Sequence, residues 1–567
     1  MFQCRVLTKV FEKKLFCARM KNVWASSKIV SSPFENIVVP DMPISEYVWT
    51  NVEKWSNKTA MICATTNRKY TYNEIYKQSR TFAANLRKKF DIKNGDPVIV
   101  MLPNIPEFAT VLLGIITAGG LVSTLNPIYT TYEVQRQVSM SQPKLAIAVP
   151  ETVPILKEAL KQNNRNTPIV VIDTFNDRPD DTVSFKEIVE SNVDLDILKD
   201  VKRTGDDVSL LLYSSGTTGL PKGVELTNKN IIANCEQQNV TNYKYHTDTS
   251  DSNQDTVFAY LPFFHSYGVS VNLIHKLSVG LQILTLPKFQ PNSFLDAFDR
   301  FKINIMYMVP PTVFFIATNP EVKQKYFEKL RCVTTGGAPI AMADIHRFLD
   351  KIGHEIHFGQ AYGLTETGPL VTLAPVGLKD YKSVGCALPN VELRVVDGQL
   401  NNLGPNELGE LLIKGPNVMK GYKNNEEANR QTFVDGDWFR TGDQAKINEN
   451  GRVYVADRLK ELIKVNAYQV PPAELESLLK EHPAILDAAV IGIPDKVTGE
   501  KPKAFIILNK GANVTEKDVM DYVSERVSPY KRLKEVQFVE MIHKNPTGKI
   551  LRRLLREEHA KKKSYNE

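Results

Sequence analysis

The most informative stretch of this sequence is Leu210-Leu-Leu-Tyr-Ser-Ser-Gly-Thr-Thr-Gly-Leu-Pro-Lys-Gly-Val224. An apolar run typical of a strand leads into a loop dense in Gly, Ser and Thr. The glycines let the backbone come close to a ligand, and successive loop N–H groups can then form an anion-binding concavity. The hydroxyls and Lys222 add donors suited to phosphate. A flexible surface turn is the alternative, but the ten consecutive residues 214–223 favour a phosphate-binding loop.

Strand-like and helix-like segments alternate along the chain from Lys69 onward. The predicted helices are 71–90, 106–119, 132–141 and 153–162, and the predicted strands are 96–102, 122–126, 144–149 and 168–173. Thr71 and Glu74 form a capping-box pattern at the start of the first helix. This βαβα alternation predicts an α/β fold with largely parallel sheets.

A chain of 567 residues is too long for a single core, so two or more domains are expected. After Asp457 the elements become shorter and more charged. We therefore predict a large multi-subdomain α/β domain over residues 33–456 and a small, mobile α+β domain over 457–567. The apolar run 108–125 contains several glycines and predicts a buried helix and strand rather than a membrane span.

The positive charge of the chain is concentrated at its beginning. Residues 1–32 hold seven Lys or Arg and one Glu, a net charge of 7 − 1 = +6 out of the total of +7, so nucleic-acid binding is not indicated. This segment resembles a mitochondrial presequence, and a disordered basic tail on a cytoplasmic protein is the alternative. The chain ends Lys-Ser-Tyr-Asn-Glu567, without a peroxisomal tripeptide. Six scattered cysteines are typical of reduced intracellular thiols.

Further motifs follow the loop in a recognisable order. They are Thr335-Gly-Gly-Ala-Pro339, Gln360-Ala-Tyr-Gly-Leu-Thr-Glu366, Trp438-Phe-Arg-Thr-Gly-Asp443, Asp457-Arg-Leu-Lys-Glu-Leu-Ile-Lys464 and Pro546-Thr-Gly-Lys549. Together with the loop they resemble the adenylate-forming superfamily of acyl-CoA synthetases and luciferases, over roughly residues 33–560. Pro262-Phe-Phe-His-Ser-Tyr267 and Thr365-Glu-Thr-Gly-Pro369 are most similar to the 4-coumarate–CoA ligase and luciferase branch.

The resemblance implies a reaction in two steps. The acid attacks the α-phosphate of ATP to give an acyl-adenylate and pyrophosphate, and the thiol of coenzyme A then displaces AMP. Negative charge gathers on phosphoryl oxygens in the first transition state, so cations and fixed donors dominate catalysis. The implied nucleotide contacts are Ser214, Ser215, Gly216, Thr217, Thr218, Gly219, Lys222, Gly337, Ala338, Gln360, Ala361, Tyr362, Thr365, Asp443, Arg458 and Lys460.

Several of these residues have a specific implied role. Lys549 matches the lysine that bridges the carboxylate and the α-phosphate, and Glu366 matches the residue that helps to hold Mg²⁺. Asp443 matches the carboxylate that accepts both ribose hydroxyls, with Arg458 beside it. Adenine is expected against the face of Tyr362. The alternatives are a surface lysine for Lys549, a turn residue for Asp443 and a core tyrosine for Tyr362.

The acid site is implied by a second set of residues. His265 matches a histidine that contacts the substrate carboxylate, and a core histidine is the alternative. Phe264, Tyr267, Gly336, Pro369 and Leu370 are expected to line an apolar pocket. We expect no basic residue opposite a second charge on the acid.

The coenzyme A step departs from the family pattern. In relatives the small domain rotates about the position of Lys460, which brings the equivalents of Lys464 and Gln469 to the active site. Lys288 matches a coenzyme A phosphate contact, with a solvated lysine as the alternative. Asn466-Ala467 replaces the usual Lys-Gly, so thioester formation is less firmly implied than adenylation.

These observations predict an ATP- and Mg²⁺-dependent acid–CoA ligase for a hydrophobic acid. As the substrate we predict a medium- or long-chain fatty acid rather than an aryl acid such as 4-coumarate, because a mitochondrial address suits fatty acid metabolism. A luciferase-like oxygenase and an inactive nucleotide-binding paralogue are the alternatives. The expected partners are small molecules, with no nucleic acid and no transmembrane segment.

Overall fold

The computed structural model describes residues 23–173, 178–215, 221–458, 461–465, 468–495, 498–527, 529–545 and 548–566. For Ser215, Asp457, Arg458, Tyr468, Gln469 and residues 562–566 it describes the backbone alone. Within these residues the chain forms a large amino-terminal domain of three sheets and a small carboxy-terminal domain built on a fourth. The predicted α/β class is confirmed.

The first sheet carries the phosphate loop. Its described strands, in spatial order, are Gly421–Tyr422, Pro221–Thr227, Val208–Ser215, Leu121–Thr124, Pro97–Met101, Leu145–Ala148, Ile169–Val171 and Val183–Ser184. The strands from Val208–Ser215 to Val183–Ser184 are parallel, whereas Pro221–Thr227 folds back antiparallel on Val208–Ser215. The parallel strands are almost wholly buried, as expected where helices cover both faces of a sheet.

The second sheet carries most of the predicted acid and adenine residues. Its described strands, in spatial order, are Cys386–Ala387, Leu370–Leu373, His357–Gly363, Cys332–Thr335, Ile305–Met308, Thr256–Ala259, Gln282–Thr285, Thr59–Cys63 and Lys69–Thr71. The central strands are parallel, so the loops at their carboxyl ends open on one edge, where ligands bind in open α/β sheets.

The third sheet is antiparallel and closes the large domain. Its described strands are Val30–Ser31, Glu392–Val396, Gly409–Lys414, Trp438–Ile447, Phe433–Val434 and Val453–Arg458. Val30 pairs with Leu393 and is fully buried. Residues 23–31, which lie within the basic segment of the sequence prediction, therefore pack as part of this domain.

Helices cover the sheets of the large domain. The described α-helices are Ile44–Trp49, Tyr72–Phe90, Glu107–Thr117, Thr131–Ser141, Val153–Gln162, Phe185–Val189, Asn228–Asn239, His275–Ser278, Pro291–Arg300, Pro310–Thr318, Met342–Ile352 and Glu426–Thr432. A π-helix, Tyr267–Ile274, leads into His275–Ser278. Short 3₁₀ helices are Val52–Trp55, Pro150–Thr152, Leu195–Asp200, Gln324–Phe327 and Thr365–Thr367.

Local signals explain where the first helices begin and end. At Tyr72–Phe90 the Thr71 hydroxyl accepts from the Glu74 N–H, and the Glu74 carboxylate accepts from the Thr71 N–H, as the capping-box pattern predicts. The predicted helices 106–119, 132–141 and 153–162 are confirmed within two residues at each end. The apolar run 108–125 is a buried helix and strand, and none of the described helices has both the length and the apolarity that a membrane crossing requires.

The small domain has its own core. Its described strands are Tyr468–Val470, Ile463–Val465, Gly499–Leu508, Ile485–Asp495 and Glu535–Phe538. Its described helices are Pro472–Lys480, Glu516–Ser524, the 3₁₀ turn Pro529–Lys531 and Arg552–Asn566. Leu475, Val490 and Ile506 are fully buried in this core.

An ion pair joins the two domains. The Lys480 ammonium donates to Asp344 Oδ2 at 2.9 Å, across from the large domain, and lies 3.2 Å from Asp487 Oδ1 in its own domain. Only 14% of the Lys480 side chain is exposed, so this contact is shielded from solvent more than an ordinary surface pair is.

Candidate active site

The phosphate loop lies between two paired strands. Pro221 pairs with Ser215 and Lys222 with Ser214, so the two strands that border residues 216–220 run antiparallel. The Ser214 hydroxyl oxygen is buried and has no hydrogen-bond partner among the described residues. An orphaned donor at the foot of this loop fits a ligand oxygen that the protein itself does not supply.

A tyrosine brings the loop lysine and the predicted metal residue together. The Lys222 ammonium lies 4.7 Å from the centre of the Tyr422 ring, and the Tyr422 hydroxyl donates to Glu366 Oε1 at 2.9 Å. Glu366 stands in the 3₁₀ turn Thr365–Thr367 and is 7% exposed. The cation and the carboxylate thus flank one aromatic ring.

Glu366 is compatible with a magnesium ion that bridges phosphates. Among the described residues no group of three or more His, Cys, Asp or Glu side chains is placed to hold a metal by itself. Mg²⁺ typically takes one or two carboxylates and completes its shell with water and phosphate oxygens. Glu366 would supply the protein part of such a shell.

The predicted ribose and adenine residues meet across two sheets. Asp443, on Trp438–Ile447 of the third sheet, is 5% exposed and accepts a 2.6 Å hydrogen bond from the hydroxyl of Tyr362 on the second sheet. Arg458 is paired in register with Asp443, so the backbone of Arg458 lies beside the strand that carries Asp443. A carboxylate held in this way can accept hydroxyl donors.

The loop 336–338 runs close to the strand that carries Tyr362. A Cβ on Gly336 would lie 3.0 Å from the Ala361 carbonyl oxygen, so a side chain there would be tight. Gly337 has φ +84°, a conformation that favours glycine. Gln360 is fixed by donating from Nε2 to the Tyr381 carbonyl at 2.6 Å. The backbone at Gly336 therefore lies close to Ala361, the residue before Tyr362.

His265 is a neutral histidine at the start of the predicted acid pocket. Burial lowers its pKa to about 4, so the ring is uncharged at neutral pH. Its Nδ1 accepts from the Tyr267 N–H at 3.2 Å, which leaves the ring proton on Nε2. A neutral imidazole with its N–H on Nε2 can donate a hydrogen bond to a carboxylate.

The predicted pocket residues come from three segments of the chain. Phe264 lies in the turn before the π-helix, which Tyr267 begins. Gly336 follows the strand Cys332–Thr335, and Pro369 precedes the strand Leu370–Leu373. The Tyr267 hydroxyl donates to the Thr334 carbonyl at 3.4 Å, which joins the first two segments. Tyr267 is 8% and Leu370 is 4% exposed.

The loop of Lys549 packs against the large domain. Gly548 has φ +82°, and a Cβ there would fall 2.3 Å from Pro311 Cδ. Pro311 follows the strand Ile305–Met308, at the edge where the parallel strands end. The Lys549 ammonium lies 3.6 Å from Glu461 Oε1, and the other oxygen of Glu461 lies 2.6 Å from Arg552.

Lys464 occupies a different part of the small domain. It lies on the strand Ile463–Val465, is exposed, and is paired in register with Gln469. Lys288 is exposed on the large domain. Gly216, Thr217, Thr218, Gly219, Lys460, Asn466 and Ala467 lie outside the described residues.

Two residues of the site were not predicted from the sequence. Tyr422 contacts Lys222 and Glu366, and Glu461 lies beside Lys549. Tyr422 follows Gly421 in a strand of two residues, a pattern too short to be distinctive. Glu461 stands inside the quoted motif 457–464, next to Lys460, and its acidic character was the available signal.

The chain is similar to known proteins over most of its length. The AMP-binding enzyme family matches residues 48–423, and the AMP-binding enzyme C-terminal domain matches residues 474–549. A 4-coumarate–CoA ligase of Humulus lupulus is 36% identical over 538 residues, which are 93% of this chain and 96% of that protein. A 4-coumarate–CoA ligase of Arabidopsis thaliana is 35% identical over 544 residues, 94% of this chain and 95% of that protein.

Solved structures of related enzymes are also similar to this chain over most of its length. ATP-bound MatB from Rhodopseudomonas palustris has a TM-score of 0.81 and 27% identity, and the match covers 91% of this chain and 99% of that one. An anthranilate CoA ligase in complex with anthranoyl-AMP has a TM-score of 0.81 and 25% identity, covering 92% of this chain and 98% of that one.

The chain belongs to the AMP-binding enzyme family, the adenylate-forming enzymes. It is an AMP-forming acid–CoA ligase, an ATP-dependent enzyme that joins a carboxylic acid to coenzyme A.

Proposed function

We propose that the acid activated by this ligase has a hydrophobic body, either an aryl ring, as in 4-coumarate, or a medium- or long-chain fatty acid. The observation that carries this proposal is the burial of Tyr267, two residues after His265, and of Leu370, both of which are expected to line the acid pocket. An aromatic ring and a leucine side chain favour an apolar body by removing its surface from water. The names of the relatives support an aryl acid, and the basic segment 1–32 supports a fatty acid.

The residues divide the adenylation step among them. The neutral His265 orients the carboxylate by donating from Nε2. Lys222 and the loop 214–219 hold the phosphates that leave as pyrophosphate, and Glu366 would supply a carboxylate ligand to Mg²⁺. Asp443 fixes the ribose. Lys549 neutralises the charge that develops between the carboxylate and the α-phosphate, where a fixed cation stabilises the transition state most.

Thioester formation uses a second arrangement of the small domain. Lys549 and Lys464 lie in different parts of the small domain, so one placement of this domain does not bring both lysines to the active site. Lys549 therefore moves away from the active site when Lys464 approaches it. Lys288, Asn466, Ala467 and Gln469 are the proposed coenzyme A contacts. Ala467 adds a methyl group where relatives carry glycine, so we expect a higher KM for coenzyme A than in a ligase with Lys-Gly at these positions.

Pyrophosphate release from ATP tests the function directly. The full-length enzyme is assayed with a panel of aryl and straight-chain acids of 4 to about 16 carbons, with and without coenzyme A. Acid-dependent release followed by formation of the thioester is the expected result. Release of light or CO₂ without coenzyme A would reveal a luciferase-like oxygenase, and no release with any acid would indicate an inactive paralogue.

We also propose that the mitochondrial address lies in residues 1–22. Val23 and Val30 are buried in the large domain, so a cleaved leader must end before them. Residues 1–22 fused to a fluorescent protein are expected in mitochondria, and the matched variant with Arg5→Glu and Lys9→Glu is expected in the cytosol. A diffuse signal from the unaltered segment would contradict the proposal.

A further inference from the structure

A lysine is buried beside the predicted acid pocket. Lys276 is 1% exposed and lies in the helix His275–Ser278, which continues the π-helix that carries Tyr267. Lysine is almost never fully buried unless it is paired. The surroundings of this ammonium group therefore indicate a use for it.

Both close partners of the Lys276 ammonium are neutral. Its Nζ lies 2.7 Å from Tyr307 Oη and 2.8 Å from His275 Nδ1. His275 is uncharged, because burial holds its pKa well below the usual value, and its Nε2 lies 2.9 Å from Asn239 Oδ1. No carboxylate among the described residues forms an ion pair with Lys276. Burial lowers the pKa of Lys276 to about 7, as expected for a cation without a counter-charge.

Tyr307 connects this lysine to the acid pocket. Its ring meets the Tyr267 ring edge to face, with 6.2 Å between the ring centres. Tyr307 pairs in register with Thr334, and the next residues of that strand are Thr335 and Gly336, the predicted pocket loop. The hydroxyls of Thr334 and Thr335 are buried without a hydrogen-bond partner in the described part of the chain. Thr334, in register with Tyr307, presents its side chain on the same face of the sheet, so an unmatched hydroxyl lies on the face that carries this tyrosine.

The Lys276 ammonium and the Tyr307 hydroxyl could both donate to an acceptor that carries negative charge. A lysine ammonium has three N–H donors, of which Tyr307 and His275 accept two. Because Tyr307 accepts from Lys276, its own hydroxyl proton is directed elsewhere, and no acceptor for it is found among the described residues. A carboxylate accepts several donors and supplies the missing counter-charge.

We propose that Lys276 and Tyr307 form a subsite for a second carboxylate, so that the ligase prefers an acid with an apolar body and a carboxylate at each end. The proposal rests on the proposed function, in which the other carboxylate reacts beside His265. It differs from the sequence-based expectation that no basic residue faces a second charge. Binding of an anion would return the pKa of Lys276 towards its usual value.

Matched pairs of acids test the subsite in the full-length enzyme. Cinnamic acid is compared with 4-carboxycinnamic acid, and hexanoic and octanoic acids with hexanedioic and octanedioic acids, by pyrophosphate release. We expect kcat/KM for at least one diacid to exceed that of its matched monoacid. In Lys276→Met this ratio should fall by about 10–100-fold, the effect of losing a hydrogen bond to a charged group.

Two variants separate recognition from folding. Tyr307→Phe keeps the lysine and the ring and should lower the same ratio by a smaller factor. Lys517→Met removes an exposed lysine of the small domain and should leave the ratio unchanged. Equal losses for monoacid and diacid in Lys276→Met and Tyr307→Phe would overturn the proposal, because they indicate a structural role.

The other possible results of these assays also test the second-carboxylate subsite. A wild-type preference for the monoacid in every matched pair would overturn the second carboxylate. If no acid releases pyrophosphate, calorimetric binding of the diacids is measured instead. Binding that is lost in Lys276→Met would support the subsite while the proposed reaction fails, and absence of binding would overturn both.

Discussion

The Tyr362 hydroxyl donates a 2.6 Å hydrogen bond to the Asp443 carboxylate and so joins the second sheet to the third. Tyr362 was predicted to face adenine and Asp443 to hold the ribose, and the structure shows that one residue also positions the other. Tyr362→Phe keeps the ring but removes this hydrogen bond to the carboxylate. We expect the KM for ATP to rise by about tenfold, measured by pyrophosphate release, since a hydrogen bond to a charged group is lost.

A matched control for Tyr362→Phe exists in the same domain. The Tyr454 hydroxyl donates to Asp380 Oδ2 at 2.7 Å, the same chemistry between two residues that are not predicted to contact the nucleotide. Tyr454→Phe should leave the KM for ATP unchanged. Equal KM values for wild type and Tyr362→Phe would show that the hydrogen bond does not serve nucleotide binding.

The two lysines of the small domain should affect different half-reactions. Lys549→Ala is expected to slow adenylation by about 10²–10³-fold, the scale for losing one preorganised charge contact, and to spare thioester formation from supplied acyl-adenylate. Lys464→Ala should show the reverse pattern. Each step is measured separately, by pyrophosphate release and by consumption of coenzyme A. Equal loss of both steps in either variant would contradict the use of two domain arrangements.

Gly548→Ala tests whether the Lys549 loop must lie against Pro311 for adenylation. The new methyl group would clash with Pro311 Cδ, and the positive φ adds strain, so this contact should be populated less. We expect pyrophosphate release to slow by about tenfold and thioester formation from supplied acyl-adenylate to be spared.

Gly511→Ala is the control for backbone strain. Gly511 has the same φ of +82° in the same domain, and a Cβ there meets nothing within 4 Å. It should therefore share the strain of Gly548→Ala without the clash. Similar activities of the two variants would mean that the contact with Pro311 plays no part in adenylation.

Buried histidines should make stability depend on pH. Burial, together with the nearby charge of Lys276, lowers the pKa of His246 from 6.5 to about 3. The unfolded chain therefore binds a proton that the folded chain does not, and the free energy of unfolding falls as the pH decreases from about 6.5 towards 3. We expect a lower urea midpoint at pH 5 than at pH 7.

His246→Gln should reduce this difference between pH 5 and pH 7. His346→Gln, at an exposed position, provides the control and should retain the difference of the wild type. An unchanged pH dependence in His246→Gln would assign the effect to other groups.

The sequence predicted those features that local patterns encode. The helix Tyr72–Phe90 has its capping box at Thr71, and Val153–Gln162 has the predicted bounds. The order of motifs predicted that Glu366 and Lys222 share a site, and the structure brings both to Tyr422. Contiguous motifs carry enough residues to be distinctive.

Features made by long-range packing were not predictable in this way. Lys276 is a single lysine in an apolar segment, and its partner Tyr307 lies 31 residues further along the chain. Likewise, the strand Val30–Ser31 pairs with residues more than 350 positions away, whereas its own composition resembles that of the basic segment before it. Such environments are created by the fold, so no local pattern indicates them.

The strand Val30–Ser31 has a practical consequence for recombinant production. It covers one edge of Glu392–Val396, in the sheet that carries Asp443. A shortened chain that starts after Ser31 would expose this edge, and exposed edge strands pair with neighbouring molecules and aggregate. Purification tags therefore belong ahead of Val23, where they leave the edge covered and the enzyme can be concentrated.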